Sequence, residues 1–361
     1  MARPLGVYVH VPFCSSRCGY CDFNTYTASE LGDDVRRDDF HEVLAAAVAQ
    51  AAPLVAGRRV DTVFVGGGTP TLLGVGGLAH VLEAIRSEVG LAPDAEVTTE
   101  ANPETIDSPM LDALLEAGYT RLSLGMQSTA PHVLAVLDRA HTPGAGVTAA
   151  RAARAAGFAH VNLDLIYGTP GETDDDLARS LDDALSADVD HVSAYALIVE
   201  DGTPLQRRIA RGELPAPDDD VAAARYDLVD ERLSAAGLHW YEVSNWARPG
   251  GECRHNLGYW TDGDWLAIGP GAHGHLDGER WWTHKHPRTY AQSLAAGDPV
   301  AGRERVDEHD RHVEQVMLGL RLADGLSVDA LRATEQARVA DAVTRGLLDE
   351  TALADGRLVL T

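Results

Sequence analysis

The sequence predicts an α/β protein, a partial (β/α)6 TIM-like barrel with a smaller C-terminal α+β, winged-helix-like domain. Three observations carry this. Six runs rich in Val, Ile, Leu, Thr and Tyr recur between residues 6 and 199. Segments with helical punctuation separate them, the alternation expected of a parallel sheet with right-handed crossovers. After about residue 205 that alternation gives way to a different pattern. Six units are fewer than the eight of a closed barrel, so an open one is expected, with its site at the carboxyl ends of the strands.

The first run is Gly6–Val11, "GVYVHV". Val60–Gly66, Ala95–Ala101, Thr120–Met126, His160–Gly168 and His191–Val199 follow. Between them, "IDSPMLDALLEAG" offers Asp107 or Ser108 as a cap, Pro109 in the first turn and Gly118 past the end. "VTAARAARAAGF" stops at Gly157. "TDDDLARSLDDALSAD" opens with Thr173 and Asp176 at capping-box spacing. Residues 1–205 form the predicted core barrel. Residues 206–309 form a linker and an aromatic-rich segment that completes the barrel side. There, "RIARGELPAPDDD" reads as polar linker, Val221–Ala236 as a helix and Trp240–Pro287 as loop-rich. Residues 310–361 form the winged-helix-like domain, whose "ADG" turn predicts a hairpin.

Composition narrows the function classes. The chain has 361 residues, 45% hydrophobic and 24% charged, as an ordinary globular protein does. It carries 30 Lys and Arg against 55 Asp and Glu, a net charge of −25. A nucleic-acid backbone needs clustered cations, so nucleic acid is excluded as main partner. Arg332, Arg338, Arg345 and Arg357 are outnumbered by six acids in the winged-helix-like part, which argues against a DNA-binding wing. The longest apolar region, "VDTVFVGGGTPTLLGVGGLAHVLEAI", is broken by Gly and Pro, so no membrane span is expected. No secretory signal is recognisable at the start, and a cytoplasmic location is expected.

Three of the four cysteines, Cys14, Cys18 and Cys21, fall in the loop after the first strand as Cys-x3-Cys-x2-Cys. In a reducing compartment such clustering indicates metal ligands or redox groups, not disulfides. A structural zinc wants four closed ligands. Cys253 is remote, although His10 offers a fourth donor from the strand. A [4Fe–4S] cluster held by three thiolates leaves one iron open. Gly66–Gly68 in "VFVGGGTPT" let a backbone approach a ligand at the same end. Glu100, Gln127 and Asp164 end later strands and Arg139 follows, a polar ring suited to a zwitterionic, ribose-bearing ligand. His273, His275, His284 and His286 surround a second Asp-Gly turn. A metal clip is conceivable there, and packing of Trp281 and Trp282 explains the hairpin as well.

At the cysteine motif the chain resembles the radical S-adenosylmethionine superfamily. The resemblance implies a [4Fe–4S] cluster on Cys14, Cys18 and Cys21, with S-adenosylmethionine chelating the open iron and yielding a 5′-deoxyadenosyl radical on reduction. It also implies Tyr8, Tyr20, Gly68, Thr69, Glu100, Gln127, Arg139 and Asp164 as S-adenosylmethionine contacts. More narrowly, "YVHVPFCSSRCGYCDFNTY", "GGGTPT", "EANPETI", "SLGMQS", "NLDLIYGTPGET", "YEVSNWARPGGECRHNLGYW" and "AIGPGAHG" resemble the HemW branch. These are heme chaperones related to the oxygen-independent coproporphyrinogen III oxidases. The oxidases carry Cys-x3-Cys-x2-Cys-x-Cys, and Phe23 stands at the last position here. They also have a long N-terminal extension, where only Met1–Gly6 precede the first strand of this sequence.

The resemblance therefore implies a chaperone that delivers heme to apo-cytochromes of respiratory enzymes, with a homodimer as a further possibility. Coproporphyrinogen III oxidation is the second reading, and a zinc-stabilised interaction protein the third. "HNLGYW", with His255, Asn256, Tyr259 and Trp260, marks the branch and is implicated in heme handling. His255 is a candidate heme ligand, and Cys253, two residues earlier, is another.

Overall fold

A computed structural model describes residues 3–32, 35–139 and 142–361, and twelve strands form one sheet. They are β1 Leu5–Val11, β2 Val60–Gly67, β3 Leu91–Ala101, β4 Arg121–Gln127, β5 His160–Tyr167, β6 His191–Ala196, β7 His239–Glu242, β8 Asn245–Ala247, β9 Asp264–Ile268, β10 His273–Leu276, β11 Glu279–Thr283 and β12 Val300–Arg305. Their order is β12-β11-β10-β9-β1-β2-β3-β4-β5-β6-β8-β7. β1 to β6 pair in parallel. All six predicted strands are present, within a few residues of the expected ends. β9 adds a further parallel partner to β1. The ends, β12 and β7, do not pair with each other, so the sheet stays open.

Alternation along the central strands sorts residues onto two faces. One face is apolar and buried: Val7, Val9, Val63, Val65, Leu122, Leu124, Val161, Leu163 and Val192 lie in the main core. Each such side chain contributes roughly 1.5–3 kcal/mol by leaving water. The other face carries Tyr8, Phe64, Glu96, Glu100, Arg121, Ser123, Asn162, Asp164, His191 and Ser193, aligned across the strands by their register. Each strand thus spends one face on the core and offers the other, largely polar, to a site.

The crossover helices start and stop as the local chemistry dictates. Asp107 accepts from the Met110 amide at 2.9 Å and caps Ser108–Ala117, which Gly118 ends at φ +106°. Thr173 and Asp176 form the capping box of Asp174–Ser186. Gly157, at φ +107°, ends Ala145–Ala156.

Three regions differ from the sequence reading. The polar linker is partly a helix, Pro204–Ala210, because the Thr203 hydroxyl caps it by accepting from the Gln206 amide at 3.1 Å. The stretch read as loop-rich, Trp240–Pro287, carries β7 to β11 and the helix Arg254–Trp260. Strands of three to five residues are too short for a two-residue period to declare itself. Within this stretch Asp277 and Gly278 both have positive φ, +50° and +81°, as a tight hairpin turn between β10 and β11 requires. Near the C-terminus the helix Glu350–Ala354 precedes Asp355-Gly356. The strand after that turn, Arg357–Leu358, pairs back to Leu326–Ser327, so the turn ends a helix instead of reversing a hairpin.

Candidate functional site

The cysteine loop leaves the carboxyl end of β1 and is pinned by backbone hydrogen bonds. The Cys14 amide donates to Tyr26 O at 3.0 Å, and the Tyr26 amide to Pro12 O at 2.7 Å. The segment after β2 lies directly against it. The Gly68 amide donates to Val11 O at 2.8 Å, and the Thr69 amide to Phe13 O at 2.7 Å. A Cβ on Gly68 would stand 2.4 Å from Phe13 O and 3.0 Å from Cys14 Sγ, so the backbone approach requires glycine.

Cys14, Cys18 and Cys21 are free and half-buried. Burial pushes the Cys14 thiol up, and the neighbouring Cys18 adds to this against hydrogen bonds that oppose it. Burial also pushes Cys21 up, to about 11, with Cys18 and Cys14 again adding. Three soft donors in one loop, two of them, Cys14 and Cys21, held toward the thiol by burial, suit a bound cationic cluster, which stabilises thiolates. Arg139 supplies one counter-charge, donating from Nη1 to Cys18 Sγ at 3.2 Å. Among the described residues no three His, Cys, Asp or Glu side chains converge as ligands of one metal ion. The thiolates of a cubane cluster each meet a different iron. His10, the fourth donor considered for zinc, is engaged at both ring nitrogens, by Tyr8 Oη and Asn24 O at 2.9 Å each.

The polar ring assembles beside the loop. The Gly67 amide donates to Glu100 Oε2 at 3.0 Å. Burial first, and the Asp164 charge second, push Glu100 up to about 8. Burial also raises Asp164, against hydrogen bonds from Asn162 at 2.7 Å and Ser123 at 3.0 Å. Arg139 Nη2 donates to Gly125 O at 3.0 Å, while its shielded Nε has no partner. A bulge between Gly125 and Gln127 turns Gln127 to φ +63°. A Cβ on Gly125 would lie 2.5 Å from Arg139 Nη2 and 2.9 Å from Gln127 Nε2, so that glycine makes room for both. Burial pushes the Tyr20 hydroxyl up, opposed by Arg139. Tyr8 lies one turn of the pleat below His10, its hydroxyl also raised by burial and then by Glu100.

The "HNLGYW" segment lies elsewhere. It forms the helix Arg254–Trp260, whose first amides, Arg254 and His255, both donate to the Glu96 carboxylate at 3.1 Å. Arg121 Nε completes this buried pair at 3.2 Å. His255 is 3% exposed, and both ring nitrogens are engaged: Nδ1 with Thr62 Oγ1 and Nε2 with Tyr259 Oη, each at 2.8 Å. Its ring stacks on Phe64. Cys253 is also 3% exposed, its Sγ 3.5 Å from Glu96. As placed, neither offers an open ligand position. The four histidines of the aromatic stretch do not gather: His275 Nδ1 bonds Gly263 O at 2.8 Å, and His273 stacks on Trp282.

Sequence reasoning missed a network joining the two ends of the strands. Asn162 links Asp164 to His191, and His191 Nε2 meets Tyr241 Oη at 2.7 Å. That hydroxyl accepts from the Cys253 amide at 3.2 Å. The alternation of β5 and β6 carries a trace of it, since Asn162, Asp164, His191 and Ser193 all break the apolar run on one face.

Free thiols set against a glycine backbone at the mouth of an open parallel sheet are the build of a radical S-adenosylmethionine protein, and the Radical SAM superfamily model matches residues 8–184. Full-length relatives narrow this. A heme chaperone HemW of Mycobacterium tuberculosis (strain H37Rv) is 58% identical over 360 residues, covering 99% of this chain and 91% of that protein. The protein of the same name from Escherichia coli K12 is 34% identical over 367 residues, 97% of this chain and 93% of its own length. The structure of coproporphyrinogen III oxidase (HemN) from Escherichia coli, a radical SAM enzyme, superposes with a TM-score of 0.83 at 25% identity, covering 96% of this chain and 85% of the other. The chain belongs to the HemW family within the radical SAM superfamily. Among the described residues no helix is long and apolar enough to cross a membrane.

Proposed function

We propose that this chain binds heme and hands it to apo-cytochromes of respiratory enzymes, working in the cytoplasm. It would hold a [4Fe–4S] cluster on Cys14, Cys18 and Cys21 and S-adenosylmethionine at the mouth beside it. The full-length likeness to proteins named heme chaperones is the observation that carries this reading. Phe23 adds to it: an exposed phenyl ring stands where the oxidases carry a fourth cysteine.

When bound, the cluster supplies an electron to a carbon–sulfur bond of the sulfonium. The residues of the chain bind and orient. The Gly66–Gly68 backbone can lie along the methionine amino group, as Gly68 already lies along the cysteine loop. Glu100 accepts a ribose hydroxyl or ammonium proton, and a bound cation would draw its carboxyl back toward ionisation. Arg139 reaches an anionic carboxylate while steadying Cys18. Thr69, Gln127, Tyr8, Tyr20 and Asp164 complete the enclosure. Residues 1–205 form the core in this reading, 206–309 its flanking segment and 310–361 a separate small domain. The acidic surface favours basic docking faces on acceptors.

The likeness to coproporphyrinogen III oxidase favours a second reading, oxidative decarboxylation of that porphyrinogen. One set of experiments separates the readings. Anaerobically reconstituted protein should contain about four iron and about four sulfide per chain. Zinc in their place supports a zinc-stabilised interaction protein. Heme titration should shift the Soret band. Coproporphyrinogen III with S-adenosylmethionine and reductant should yield no protoporphyrinogen, and clear turnover would assign the oxidase instead.

A further inference from the structure

At the opposite end of the strands from the cysteine loop lies a cleft of about 860 Å³. That volume suits a cofactor-sized ligand, since such sites span about 300–1,000 Å³. Strands of seven or eight residues put roughly 20 Å between the two ends. The cleft is walled by the starts of β3 and β5, by β7, by the helix Arg254–Trp260 and by the Leu322–Asp324 segment. Leu257, Leu322 and Pro249 supply apolar surface, and Trp240 and Tyr241 flat aromatic surface. Trp240 keeps a shielded indole N–H with no partner.

His160, the first residue of β5, stands on this wall. Its Nδ1 lies 2.6 Å from Asp190 Oδ2. Asp190 is held in turn by the Val161 amide, which donates to Oδ1 at 2.8 Å. With Nδ1 donating to the carboxylate, the neutral form of the ring carries its lone pair on Nε2, which makes no hydrogen bond among the described residues. An imidazole oriented by a carboxylate on its far nitrogen is the habitual arrangement of a metal-ligating histidine. His255, by contrast, has both nitrogens committed.

No three candidate ligands gather around His160 among the described residues. A bare ion would want several protein ligands. One imidazole suffices for an iron that a tetrapyrrole already holds through four nitrogens. We infer that the cleft is the heme site, with His160 Nε2 as axial ligand and Asp190 as the residue that positions it. The assignment rests on the heme-binding reading above and gives that reading a place and a ligand. Arg254, whose Nη1 donates to Asp94 O at 2.7 Å, is the cation beside which a propionate can lie. Asp94, Glu252 and Asp324 carry the opposite charge along the wall, so the second propionate faces solvent.

The test is a ferric heme titration of the full chain, followed by absorption and, after reduction, resonance Raman spectroscopy. Wild type should shift the Soret band and show an iron–histidine stretch. His160→Ala should weaken binding at least tenfold and lose that stretch, and added imidazole should restore it. Asp190→Asn should still bind heme but lower the stretching frequency, because the imidazole loses anionic character. His239→Ala, the other histidine on the wall, and His255→Ala should keep the wild-type spectrum. Leu257→Trp, which fills the cleft without touching His160, should weaken binding tenfold or more and decides the matter if His160→Ala does not fold. Heme binding by wild type that survives both His160→Ala and Leu257→Trp overturns the site. Loss of the stretch in His239→Ala or His255→Ala instead overturns the ligand. Wild type that binds no heme overturns the functional reading itself.

Discussion

Glu96→Gln is the substitution with the most informative energetics. Glu96 and Arg121 are a buried pair, their side chains 4% and 2% exposed. Glu96 Oε2 accepts from Arg121 Nε at 3.2 Å and the Arg254 amide at 3.1 Å, and Oε1 from the His255 amide at 3.1 Å. Glutamine keeps the shape but turns one oxygen into a donor, so an N–H must face another N–H whichever way the amide lies. Arg121 loses its ion-pair partner and keeps its hydrogen bonds to the Gly251 and Glu252 carbonyls, at 2.8 and 3.0 Å. Removing one partner of a buried ion pair costs about 3–5 kcal/mol. Glutamine retains one acceptor, so about 3 kcal/mol is expected. Denaturant unfolding of apo-protein, with midpoint and slope both fitted, measures it. A double-mutant cycle with Arg121→Met should then return a coupling of about 2 kcal/mol or more. A loss below about 1 kcal/mol, or additive single mutants, would refute the claim that this pair anchors the "HNLGYW" helix to the strands.

The remaining predictions concern the mouth and the buried histidine. Gly68→Ala should leave the fold intact by circular dichroism but lower the iron bound per chain after reconstitution, because its Cβ would collide with Phe13 O 2.4 Å away. Unchanged iron content would show that the backbone approach is dispensable. Burial pushes Glu100 up from 4.5 to about 8 in the folded chain, so the folded state holds the extra proton between those values. Stability should therefore fall as pH rises through that window, by on the order of 5 kcal/mol, and Glu100→Gln should flatten the slope. An unaltered slope would mean that Glu100 ionises freely. Burial lowers His255 to about 4 from 6.5, so here the unfolded chain binds the extra proton. Stability should hold above pH 6.5 and fall by about 3 kcal/mol on acidification to 4, a loss that His255→Phe abolishes. Equal acid sensitivity in wild type and His255→Phe would contradict the burial of both ring nitrogens.

The six parallel strands, the capped helices between them and the Cys14–Cys21 loop were legible in the sequence because each is a local signal. Periodicity, capping spacing and motif spacing act over a few residues, and the loop's position after β1 places it at the active end. Glu100, Gln127, Arg139 and Asp164 could be proposed as one ring because parallel strands put their carboxyl ends side by side. The small strands β7, β8 and β10 were hidden, since three or four residues contain too little periodicity to distinguish them from loops. The environment of His255 was hidden for another reason. Its partners Thr62 and Tyr259 lie 193 and 4 positions away, and burial is a property of the packed molecule.

The same division explains the two histidines. The resemblance to the HemW branch singled out His255, yet folding turned its ring inward and engaged both nitrogens within the protein. His160 looked like the first residue of a strand and nothing more. Only the packed sheet brings Asp190, 30 positions later, against one nitrogen of its ring and places the residue on the wall of a cleft. The sequence by itself determined the six parallel strands, the capped helices between them and the thiol-bearing loop, because those depend on neighbours along the chain. Tertiary structure decided which polar groups are consumed by one another and which remain free for a ligand, because hydrogen-bond partners and desolvation are set by contacts between distant segments.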